Sequence, residues 1–67
     1  MEVLRGMTGI HRLLNRFGTV IYTGDRLGDL EMMEDEVEEL YRAGMIDRET
    51  HLTARRILSR EKKEIRS

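Results

Sequence analysis

The sequence predicts an all-α protein, a small three-helix bundle with a Gly-bounded loop between helices 1 and 2 and a tight helix 2/helix 3 hairpin. Three observations carry this. Apolar residues recur at spacings of three and four in three separate stretches, which is the signature of amphipathic helices. Glycine closes the first two stretches, at Gly18 and Gly44. Proline is absent throughout the 67 residues, so nothing in the chain forbids long helices.

Helix 1 is expected to start between Glu2 and Thr8 and to run to Phe17. Val3, Met7, Ile10, Leu14 and Phe17 form its stripe, and Leu4 and Leu13 widen it. Gly6 and Gly9 each weaken a helix by about 1 kcal/mol relative to alanine, so fraying is expected over residues 1–7, with Thr8 an alternative N-cap. Gly18 is the expected stop.

The loop Gly18-Thr19-Val20-Ile21-Tyr22-Thr23-Gly24-Asp25-Arg26 follows. Gly18 and Gly24 tolerate positive φ, which lets the chain leave one helix, run extended through Val20 and Ile21, and turn again. Asp25 is placed to cap helix 2 with its carboxylate. In that helix Leu27, Leu30, Met33, Val37, Leu40 and Tyr41 share a face about 140° wide, and Met32 points roughly opposite. The helix should end at Ala43 with Gly44 beyond it, and Glu38 with Arg42 makes an i, i+4 pair.

Asp47 is the second expected N-cap, and helix 3 runs from Arg48 to about Glu64 or beyond. A connection this short makes helices 2 and 3 antiparallel neighbours. Ile46 and His51 have the spacing of a hydrophobic staple, and Ala54, Ile57, Leu58 and Ile65 continue the inward face. The whole chain, 1–67, reads as a single domain with a basic tail at 62–67.

Composition excludes several classes. With no cysteine there is neither a disulfide nor a thiolate metal site, which fits a reducing compartment. No apolar run is long enough to span a membrane, and the N-terminus does not read as a secretory signal. The acidic run Glu31 to Glu39 lacks the alternating ligands of a calcium loop, and it reads as a solvated face. His11 reads as a surface residue and His51 as a half-buried packing residue, so no metal and no cofactor is expected. Gly18 and Gly24 match no dinucleotide or phosphate-loop spacing. With no nucleophile set beside a base, no catalytic residue is expected and the protein is read as not an enzyme.

Net charge is −1, but it is unevenly spread. Residues 25–47 set nine carboxylates against Arg26 and Arg42, whereas residues 48–67 set seven cations against Glu49, Glu61 and Glu64. On helix 3, Arg48, Leu52, Arg55, Arg56, Ser59, Lys62, Lys63 and Arg66 are expected on one outward face, within roughly 80° of arc. That basic stripe could follow the phosphates of single-stranded RNA or DNA, with Arg12 and Arg16 as further phosphate contacts and Tyr22 stacked on a base. Against this stands an ordinary solvated helix face, which is the favoured reading of the stripe taken alone. A second functional class is a protein–protein adaptor that docks through the loop 18–26 and Met32. Met33, Met45, Val20, Ile21 and Tyr22 could join that apolar patch, although closing the small core is the preferred role for all but Met32. The sequence leaves the oligomeric state open.

At Gly18 to Leu27, followed by Asp29-Leu30-Glu31 and Met33-Glu34 and extending through Glu36, Leu40, Tyr41, Gly44 and Ile46, the chain resembles the YqgQ-like family of small bacterial proteins. The resemblance covers roughly residues 8–62 and departs from the family pattern at His51, where an aromatic residue is expected. It implies a cytoplasmic three-helix bundle and a single-stranded nucleic-acid-binding role, with no catalytic residues to transfer.

Overall fold

Glycines set where the first two helices stop. The structure is a computed structural model. It describes residues 4–66, Arg66 by its backbone, in three helices: α1 Gly6–Arg16, α2 Arg26–Arg42 and α3 Arg48–Arg66. Gly18 has φ 79° and Gly44 φ 75°. Beyond α1, the N–H of Thr19 donates to the Leu14 carbonyl at 2.9 Å and that of Gly18 to Asn15 at 3.0 Å. Beyond α2, Met45 donates to Leu40 at 2.9 Å and Gly44 to Tyr41 at 3.0 Å. Both ends are Schellman motifs, in which a left-handed residue lets the last free carbonyls find donors.

α2 and α3 run antiparallel, as expected. Cross-helix pairs show the register: Glu38 with His51, Glu34 with Lys62 and Arg26 with Glu61. α1 lies antiparallel to α3, because its end adjoins Ile46 and Thr50 while its beginning adjoins Ile57 and Arg60. The seam is filled by Ile10 and Leu14 from α1, Leu30, Met33, Val37 and Leu40 from α2, and Ala54 and Leu58 from α3. Ala54 is fully buried, so its small side chain sits where helix 3 comes closest to its neighbours.

Four expectations need correction. Leu4 precedes α1 and packs against the core, so the beginning of the chain is held down from residue 4; Met1 to Val3 lie outside the described residues. Gly9 makes this possible, since a Cβ there would stand 3.2 Å from the Leu4 Cα. Thr8 lies inside α1 and Arg5 occupies the N-cap position without a side-chain hydrogen bond. Ile65 is 37% exposed, because α3 outruns the helices it packs on. Val20, Tyr22 and Met45 stand out from the surface at 80%, 85% and 57% exposure, so of the loop and turn residues only Ile21 and Ile46 turn in to the core.

Candidate nucleic-acid interface

The loop that presents Tyr22 is anchored by a residue other than the expected one. Asp25 is the N-cap residue of α2, but its carboxylate makes no capping hydrogen bond. It lies over Gly28 instead, where a Cβ would be 2.8 Å from its Oδ2. The work falls to Asp29, which is buried. It accepts the Thr23 hydroxyl at 2.5 Å and the Thr23 N–H at 3.0 Å. These bonds favour the ionised form, the hydroxyl most, and hold the Asp29 carboxyl below its ordinary value. Gly24, at φ 92°, makes the turn between the two residues. Asp47 caps as expected, accepting the Thr50 N–H at 2.8 Å, and Thr50's hydrogen bonds lower its pKa too.

α3 carries the cations of the expected stripe, but they divide between two sides. At 100° per residue Lys62 and Arg56 stand about 120° apart, wider than the expected arc. Lys62 faces α2, half buried, with its Nζ 2.8 Å from the Glu34 carboxylate. Arg55 also faces α2, close enough to Glu38 to lower that carboxyl's pKa, although the hydrogen bond from His51 does more. Arg56 turns toward the beginning of α1 in a groove lined by Leu4, Gly6, Thr53, Ile57, Arg60 and Glu61. Arg48 and Lys63 are exposed between the two sides, and the Arg66 side chain lies outside the described residues. On α1, Arg12 is exposed and Arg16 lines a cleft with Phe17, Asp47 and Thr50.

Tyr22 belongs to a third depression, between α1 and α2, with Met7, His11, Ile21, Leu30 and Met33. The structure therefore does not bring it into the groove of Arg56. Arg60, absent from the expected stripe, is exposed beside Arg56. Its signal was present in the spacing, four residues on from Arg56, but it lies on the α1 side of the helix and so fell outside a stripe centred toward α2.

The two histidines sit in different surroundings. His51 is 6% exposed, hydrogen-bonded to Glu38 at 2.6 Å and stacked on the Tyr41 ring at 4.2 Å. It is thus more deeply placed than half-buried, and it takes the flat packing role of an aromatic side chain. His11 is exposed. Among the described residues no group of three or more His, Asp or Glu is placed to hold a metal ion, and no helix is long and apolar enough to cross a membrane.

These features define a small all-helical protein built on a capped helical hairpin, with one helix laid across it and its cations displayed on the outside. The chain belongs to the YqgQ-like family, whose model matches residues 4–64, a wider span than the motifs alone indicate. It is similar to the uncharacterized protein YqgQ of Bacillus subtilis (strain 168), at 40% identity over 52 residues that make up 78% of this chain and 73% of that protein. No solved structure matches it.

Proposed function

We propose that this chain is a non-enzymatic, cytoplasmic protein that binds single-stranded nucleic acid through the outer side of α3. One observation carries the proposal. Arg48, Arg55, Arg56, Arg60 and Lys63 are exposed along α3 and form no ion pair among the described residues. The helix spreads them over about 22 Å at 1.5 Å per residue, enough to follow several phosphates. Lys62 contributes only by giving up Glu34. Arg12 and Arg16 extend the basic surface onto α1, and Tyr22 offers a ring to a base outside that groove.

Anisotropy titrations of labelled single-stranded RNA and DNA oligonucleotides at several salt concentrations test this. With about three phosphates neutralised, log K falls against log salt with a slope of about −2. Arg55→Glu/Arg56→Glu abolishes binding, whereas binding unchanged by that pair of substitutions removes α3 from consideration. A second reading, a protein–protein adaptor, draws on the exposure of Val20, Tyr22 and Met32, the last at 48%. Co-purification with one protein after nuclease treatment, together with no oligonucleotide binding, selects it.

A further inference from the structure

The cross-helix ion pairs seen among the described residues lie along the seam between α2 and α3. Lys62 takes Glu34, Arg26 takes Glu61 at 2.7 Å, and Glu38 is shared by His51 and Arg42. The exposed charges outside that seam include two rows. On α2, Glu31, Asp35 and Glu39 are exposed and form no ion pair among the described residues. On α3, Arg48, Arg56 and Lys63 are in the same condition.

The rows match in several respects. Glu31 to Glu39 and Arg48 to Arg56 are both eight residues, about 12 Å along a helix. Each row carries one exposed apolar side chain, Met32 at 48% beside Glu31 and Leu52 at 43% between Arg48 and Arg56. Like charges at i, i+4 destabilise a helix; Arg42 shares this face but is engaged by Glu38 at 3.6 Å, so the Glu31, Asp35, Glu39 row gains from meeting further cations. The rows lie on the outer sides of two neighbouring helices and point away from each other. One molecule therefore cannot join its own rows. The net charge of −1 leaves little overall repulsion between copies.

We propose that the partner of each row is the opposite row of a second copy of this chain. The contact is head-to-tail: the α2 row with Met32 lies along the α3 row with Leu52 of the next molecule. Such a contact leaves one row open at each end of an assembly, so association continues past the dimer as concentration rises. Its strength comes from solvent-exposed charge pairs, so it is weak and sensitive to salt. It does not depend on nucleic acid being a ligand, although both uses would occupy Arg56.

Sedimentation equilibrium of the nucleic-acid-free protein tests the proposal. At about 0.01 M salt, where charges act over about 30 Å, the average mass rises with concentration above that of the 7.9 kDa chain. At about 1 M salt, where the range is about 3 Å, it returns to the monomer. Glu31→Lys/Glu39→Lys and Arg48→Glu/Arg56→Glu each associate at least about tenfold more weakly than the wild type, a loss set by two attractions turned to repulsions. Circular dichroism confirms that both variants keep their helices. Mixed in equal amounts the two variants associate again, because each supplies the sign the other lost. A wild-type chain that stays monomeric at low salt, association that strengthens with salt, or a mixture that fails to associate overturns the proposal. Oligonucleotide binding that survives in such a case leaves the proposed function standing.

Discussion

Asp29 does what a short polar side chain can do when a loop brings donors to it. Its carboxylate gathers the Thr23 hydroxyl and N–H, so it fastens the loop to the first turn of α2, where the helix dipole also favours a negative charge. Thr23→Val removes the hydroxyl and lowers Tm by about 4–8 °C, the shift that one lost net hydrogen bond produces in a domain this small. Asp25→Ala costs less, since the Asp25 side chain makes no capping bond; thermal melts of the two variants rank them. Acid is expected to loosen the fold through the same groups. Asp29, Asp47 and Glu38 are all held below their ordinary values, 3.8 for the two aspartates and 4.5 for the glutamate, by hydrogen bonds from Thr23, Thr50 and His51 respectively. A carboxyl with a lowered native pKa contributes stability that is complete above its unfolded pKa and is lost as pH falls through the native value. Melts from pH 7 down to about pH 3 should therefore show Tm steady at first and falling once pH enters the ordinary carboxylate range. Asp29→Asn should flatten part of that fall.

Each helix end was legible to a different degree. The stops of α1 and α2 follow from Gly18 and Gly44 because a left-handed residue after an apolar stripe has few other uses. Asp47 was equally plain, and its bond to the Thr50 N–H is the one a cap makes. The start of α2 was half legible. An aspartate ahead of a helix marks the boundary whether or not its carboxylate caps, and the choice between Asp25 and Asp29 depends on where Thr23 lies in space. Gly24 decides that position, so Gly24→Val strains a backbone at φ 92° by about 1–2 kcal/mol and releases the loop. A melt as stable as the wild type's would show that the loop reaches the same contacts by another path. Along α3 the spacing gave the cations and their general direction, but not which of them the neighbouring helix would claim. Lys62 differs from Arg56 by about a third of a turn of azimuth, and that difference gives Lys62 to the Glu34 carboxylate of α2 and Arg56 to the groove beside α1.

The molecule as a whole rests on one small core, and a core of this size rarely supplies more than about 3–5 kcal/mol. Leu58 is fully buried among all three helices. Leu58→Ala costs about 2–5 kcal/mol through lost burial and the cavity left behind, enough to leave the chain largely unfolded at 25 °C. A cooperative urea transition close to wild type would contradict this. Apolar spacing, glycine stops and charge distribution determined by themselves that three helices form, where they end and that α2 is acidic and α3 basic, because those properties depend on neighbours within a turn or two of the chain. The tertiary structure alone decided that Asp29 holds the loop, that Leu4 reaches back over Gly9, and that Lys62 is paired while Arg60 stands free among the described residues. Each of these depends on atoms brought together by the packing of one helix on another. A charge's nearest opposite charge is set by the azimuth and register of that packing, which no stretch of sequence contains.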